Sequence, residues 1–196
     1  MTTTINTDAP AYMVDGVLTD GEAWVALQTH VVSGTSTATI TFTSSTGAND
    51  WSQYIDLVLI GYAAGEAVGG TNASYINFNN DTTSSYPNQF FYGDGSSVTT
   101  SATTYDKLYI DAAPGTASPQ PWGVSVTNIY DINSGKYKIA ISQLAADRNG
   151  AGMVGVYAAT WQNQSAITEI DIACGVDFLP DTRFDLFGIL PRMVTA

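Results

Sequence analysis

Few residues of this chain have types that could act on a substrate, and their spacing decides against most reactions. His30 is the only histidine, so any imidazole-based nucleophilic triad would have to use it. It falls inside the apolar run Thr29-His30-Val31-Val32, where a hydrogen-bonded histidine on a sheet is the ordinary reading. No Gly-x-Ser-x-Gly elbow occurs among the many serines. One histidine and one cysteine cannot furnish the usual zinc ligands. Gly61-Tyr62-Ala63-Ala64-Gly65 lacks the lysine and the helix that follow a phosphate-binding glycine loop. A glycosidase needs two carboxyl groups about 5–10 Å apart in a cleft. Fifteen aspartates make such a pair numerically easy, yet no motif selects one.

Two groups of residues point to binding instead. Asn79-Asn80-Asp81, and Asp177 near Asp181, put oxygen ligands on loops, as calcium prefers. Neither group matches an EF-hand loop, solvated turn carboxylates are the plainer account, and no cofactor is expected. The clusters Tyr86-Pro87-Asn88-Gln89-Phe90-Phe91-Tyr92 and Trp161-Gln162-Asn163-Gln164 could stack on sugars or anchor a protein interface. At strand spacing the same aromatics also fit a sandwich core, and that reading is preferred. Sequons at Asn72, Asn80 and Asn163 are read as chance in a chain rich in Asn, Ser and Thr.

Composition narrows the class further. Of 196 residues 44% are hydrophobic but only 12% are charged, so Thr, Ser, Asn, Gln and Gly must build the polar surface, a mix that suits strands and turns. Eighteen acidic and six basic residues give a net charge of −12. That field repels phosphate backbones and anionic membranes, which argues against both as partners. Cys174, the single cysteine, is expected to be a small buried hydrophobe. The N-terminus shows no signal-peptide pattern and no apolar run reaches the ~20 residues of a membrane helix. A soluble product made in the cytoplasm is therefore expected.

The elements that would position these residues are strands. Residues 37–43 alternate, with Ala38, Ile40 and Phe42 inward. Residues 54–62 are apolar on both faces apart from Asp56, which predicts a central strand covered on both sides. Further strands are expected over 24–32, 74–79, 86–92, 107–111, 124–132, 137–144, 153–161, 167–173 and 183–189. Asn133-Ser134-Gly135 marks a hairpin, and 147–152 a second joining loop. Residues 103–121, with Pro114, Pro119 and Pro121, read as a long insertion. Near the end, Thr168, Ile170 and Ile172 oppose Glu169 and Asp171, across a loop at 174–180 from Thr182, Phe184 and Leu186. Asp181, Arg183 and Asp185 lie on the opposite face of that last run, as a small surface charge ladder. Short strands at roughly ten-residue spacing predict an all-β fold: an antiparallel β-sandwich of jelly-roll type, with an extended N-terminal arm and a short C-terminal tail. The arm is placed at 1–23, the sandwich at 24–190 and the tail at 191–196.

Three stretches carry a resemblance. They are Thr39-Ile40-Thr41-Phe42-Thr43-Ser44 followed by Trp51-Ser52-Gln53-Tyr54-Ile55-Asp56-Leu57-Val58-Leu59; Tyr75-Ile76-Asn77-Phe78-Asn79-Asn80-Asp81-Thr82; and the end, Ala166-Ile167-Thr168-Glu169-Ile170-Asp171-Ile172, a loop, and Phe184-Asp185-Leu186-Phe187-Gly188-Ile189. Together they resemble a group of small jelly-roll structural proteins of tailed bacteriophages, which includes head decoration or cement proteins and parts of tails and fibres. The resemblance implies no catalytic residue. It implies a non-enzymatic virion protein, most simply a capsid decoration protein that binds the major capsid protein or another virion protein. A homo-oligomer is expected, with a trimer favoured. Irregular ends that order on a neighbour would do the attaching, so the candidate partner-binding residues are Ile5, Tyr12, Met13, Leu190, Arg192 and Met193. The alternative is a receptor- or carbohydrate-binding module of a tail fibre, with the Tyr/Trp/Asn loops as its site. A glycosidase comes third.

Overall fold

A computed structural model describes residues 13–14, 17–18, 24–68, 70–117, 119–147 and 152–190. Its strands in chain order are β1 (Met13–Val14), β2 (Val17–Leu18), β3 (Trp24–Val31), β4 (Thr37–Thr43), β5 (Asp56–Ala63), β6 (Thr71–Phe78), β7 (Tyr86–Gly93), β8 (Val98–Tyr105), β9 (Leu108–Pro114), β10 (Gly123–Tyr130), β11 (Lys138–Ala146), β12 (Met153–Trp161), β13 (Glu169–Phe178) and β14 (Arg183–Ile189). β1 and β2 pair as a minimal hairpin, so the N-terminal region is not wholly irregular. The rest is an antiparallel sandwich. One sheet has eight strands in the order β3-β14-β5-β10-β11-β12-β7-β8, and the other has four in the order β4-β13-β6-β9.

The wiring is nested. β3 pairs with β14, β4 with β13, β5 with β10 and β6 with β9. Those eight strands split evenly between the sheets. The two remaining hairpins, β7-β8 and β11-β12, extend the larger sheet past the edge of the smaller one.

The two closing strands land in different layers. β13 lies between β4 and β6, and β14 lies between β3 and β5. Their inward residues Ile170, Ile172, Phe184 and Leu186 are fully buried, as period-two alternation requires. Between the layers they meet Phe42, Trp51, Phe78, Trp161 and Phe178. Under the overhang a smaller cluster gathers Leu144, Met153 and Tyr157 against Phe90, Tyr92 and Tyr109.

Several sequence expectations change. The stretch 103–121 is not an insertion: it finishes β8, and β9 is an edge strand of the smaller sheet. β8 itself was missed because Val-Thr-Thr-Ser-Ala-Thr-Thr-Tyr has no buried face, so no hydrophobic alternation marks it. Residues 174–178 are not a loop but the end of β13, where a register shift after Ala173 breaks the alternation. The run at 54–62 begins as a strand only at Asp56, after a 3₁₀ turn at Trp51–Gln53. Both hairpins expected around 133–135 and 147–152 are present as antiparallel pairs.

Candidate interaction surface

The outer faces of the two sheets differ in chemistry. On the smaller sheet the outward positions include Thr39, Thr41 and Thr43 on β4, Glu169, Asp171 and Ala173 on β13, and Ala73, Tyr75 and Asn77 on β6, so most are polar. Thr41 donates to the Asp171 carboxylate at 2.6 Å. This is the polar exterior that a one-sided antiparallel sheet normally carries.

The larger sheet breaks that rule. Register places Tyr62, Val124, Ala145 and Val154 side by side across β5, β10, β11 and β12. The next outward row is Ile60, Val126, Gln143, Val156 and Phe91, and the one after it includes Asn128, Ile141 and Ala158. Val154 is 64% exposed, Phe91 53% and Ile139 50%. Among the described residues, every exposed large hydrophobic except Ile55, Val68 and Tyr137 lies on this face. A contiguous apolar area of this kind on a polar molecule marks an interaction site.

Charge is nearly missing from the face. Among the described residues of its strands, the outward charges are Asp56 and the pair Arg183–Asp185. The Arg183 guanidinium sits 2.9 Å from the Asp185 carboxylate, which also accepts from Thr29 at 2.8 Å. Asp56 accepts the backbone N–H of Asp131 at 2.7 Å. The ladder expected at Asp181, Arg183 and Asp185 is thus a single ion pair, with Asp181 in the turn before β14. A depression of about 850 Å³ lies on the same face, lined by Ile60, Tyr62, Val124 and Val126, with Asp181 and Arg183 at one side. At its end Trp122 stacks on Tyr62 with ring centroids 4.6 Å apart.

Ile5, Tyr12, Arg192 and Met193 lie outside the described residues, and for Met13 only its place in β1 is described. Leu190 is half-buried at the end of β14 and packs on the main core. His30 is half-buried near the end of β3, beside Phe184.

The oxygen-rich turn has a structural use. Asn79 and Asn80 both adopt left-handed backbone angles, which asparagine tolerates in a tight turn. The Asn79 amide accepts from the N–H groups of Thr168 and Glu169 and donates to the Ala166 carbonyl, tying the turn to the start of β13. Asp81 accepts from Thr83, Ser85 and the indole N–H of Trp161. Desolvation alone would raise its pKa, but the hydrogen bonds outweigh burial and hold the carboxyl at about 2. Its oxygens already have protein donors. Among the described residues no group of three or more His, Cys, Asp or Glu side chains is placed to hold a metal.

The aromatic clusters divide. Trp161, Tyr86 and Trp51 are fully buried, and burial pushes the Tyr86 phenol above its ordinary pKa. Phe91 faces out. Half-exposed Tyr75, Tyr105 and Tyr109 pack edge to face near the rim of the smaller sheet, and the Lys107 ammonium lies 4.4 Å from the Tyr75 ring centre. The apolar outer face was not anticipated, although the double-sided apolarity of residues 54–62 was its signal. A scan of family models, a search of curated proteins and a search of solved structures each returned no match.

Proposed function

We propose that this chain is a non-enzymatic structural protein of a tailed-bacteriophage virion, most simply a decoration or cement protein that assembles as a homo-oligomer on the head shell. The observation that carries the reading is the apolar, almost uncharged outer face of the eight-stranded sheet. Such a face is a poor exterior for a free monomer and a good one for a subunit of an assembly. The nested pairing of β3–β14, β4–β13, β5–β10 and β6–β9 supports a jelly roll with two added hairpins, an architecture that viral capsid proteins share with lectins. The partner is the major capsid protein or another virion protein, and the location is the virion.

The test is immunogold labelling of particles released by cells that carry this gene, with an antibody raised against the purified chain. Label distributed over the head is expected. Unlabelled particles overturn the virion reading, and label confined to the tail moves the protein to the tail or fibre.

A second reading, a carbohydrate-binding module of a tail fibre, draws on Tyr75, Tyr105 and Tyr109 beside Lys107. Aromatic faces of this kind stack on sugar rings. A glycan array probed with the purified chain, with Tyr105→Ala as control, checks it.

A further inference from the structure

We infer that the apolar face of the eight-stranded sheet docks on the same face of a second copy of this chain, through a two-fold contact. The inference rests on the reading of the chain as an assembling structural protein and names the partner of that surface.

Four observations favour a second copy over a different partner. The first is size. Seven inter-strand spacings of about 4.8 Å and four outward rows make a face of roughly 35 by 20–25 Å, or about 700–900 Å². A standard interface buries about 800 Å² on each side.

The second is charge. The chain carries −12, yet among the described residues the strands of this face hold one internally neutralised ion pair and one hydrogen-bonded aspartate, with Asp181 at the rim of the depression. A basic partner would find little to pair with there beyond Asp181 at the rim. Two copies can meet there without bringing Glu169 and Asp171 together, because both lie on the opposite face of the sandwich.

The third is the strand pattern of β5. Its outward Ile60 and Tyr62 belong to a run that is apolar on both faces, the mark of a strand covered on both sides. Within one copy the second sheet covers its inner side and Val58 is buried on the outer side, but Ile60 is left half-buried and Tyr62 exposed. A second sheet stacked at about 10 Å supplies the missing cover.

The fourth is shape. A two-fold axis parallel to the strands and between β10 and β11, the middle pair of the sheet, lays β12 and β7 of one copy over β5 and β14 of the other. The protruding Val154 and Phe91 then face the side of the depression lined by Ile60, Tyr62 and Arg183. Such a contact is self-complementary, as an isologous interface must be. It builds dimers or their multiples, and so departs from the trimer expected from the sequence.

The test is sedimentation velocity of the full chain over a wide concentration range. Wild type is expected to sediment as a dimer or an even multiple. Val126→Lys combined with Val154→Lys puts like charges into the contact and should weaken association by at least about a hundredfold. Thr39→Lys combined with Ala73→Lys, on the outer face of the smaller sheet, should leave it unchanged. Thermal melts and far-UV circular dichroism establish that both variants fold. A monomeric or trimeric wild type, an assembly untouched by Val126→Lys/Val154→Lys, or equal loss in the control pair overturns the inference. A dimer that never labels particles overturns only the virion reading, and labelled particles built from a monomeric protein overturn only this one.

Discussion

The ring of Tyr54 occupies the space where Gly188 would carry a side chain: a Cβ built on Gly188 would lie 2.4 Å from the Cδ1 atom of Tyr54. The ring is held there by its own hydroxyl, which donates to the Ala48 carbonyl at 2.8 Å. This relationship gives a physical reason for the glycine in the closing motif Phe184-Asp185-Leu186-Phe187-Gly188-Ile189. β14 needs a bare backbone at that point so that the segment before β5 can close over the core.

Gly188→Ala is therefore expected to destabilise the protein by about 1–3 kcal/mol, the usual result of overpacking a filled core. Urea unfolding measures it. Combining Gly188→Ala with Tyr54→Ala should relieve the clash, so the double change should fall short of the sum of the single ones. Strict additivity would show that the ring and the glycine are not coupled.

Lys138 is fully buried at the start of β11, and its ammonium donates to the Ser134 carbonyl at 2.6 Å and to the Lys136 carbonyl at 2.5 Å. Burial lowers its pKa. The side chain closes the β10-β11 turn from inside. Lys138→Met keeps the apolar length but leaves those carbonyls unpaired, and should destabilise by about 1–3 kcal/mol. Hydrogen exchange localised to residues 131–137 should rise with it; an unchanged exchange pattern there would refute the closing role.

Asp81 gives a pH signature. Its folded pKa is about 2 against an ordinary 3.8, so between these values the unfolded chain binds more protons than the folded one. Stability from this group is fully present above about pH 4 and is lost as pH falls toward 2. Thermal melts of wild type across that window should show the loss. Asp81→Asn should flatten part of the slope and lower stability at pH 7, because the indole of Trp161 loses a charged acceptor. An identical slope in both proteins would show that other carboxylates carry the acid sensitivity.

A buried hydroxyl relay joins the layers. Thr127 on β10 donates to Ser142 on β11 at 2.9 Å, and Ser142 donates to the Ile110 carbonyl on β9. Ser142→Ala leaves the Thr127 hydroxyl and the Ile110 carbonyl without this partner, and should destabilise by about 1–3 kcal/mol. Ser142→Thr, which keeps the hydroxyl, should recover part of the loss in the same unfolding assay. No recovery would assign the effect to packing alone.

What the sequence alone determined is the strand content and which side of most strands faces in. Alternation is a local property, so Ile40 and Phe42, Ile170 and Ile172, and Phe184 and Leu186 could be assigned inward from their spacing and are buried, whereas Ala38, assigned inward on the same ground, is exposed near the start of β4. Turn residues such as Asn133-Ser134-Gly135 marked hairpins for the same local reason. Strands without a buried face left no trace, which is why β8 was missed.

Only the tertiary structure decided the rest. The pairing of β3 with β14 joins residues more than 150 positions apart, and no local pattern encodes that choice. The oxygens of Asn79 and Asp81 looked available in the sequence and proved to be occupied, because β13 and Trp161 arrive from about 80–90 residues downstream. The apolar outer face emerged in the same way. Val124, Ile139, Val154 and Phe91 sit on four separate strands, and no local pattern groups them. Registered pairing in one sheet sets Val124, Val154 and Phe91 in adjoining rows with Ile139 farther along the same face, and a patch exists only once neighbours are fixed in space.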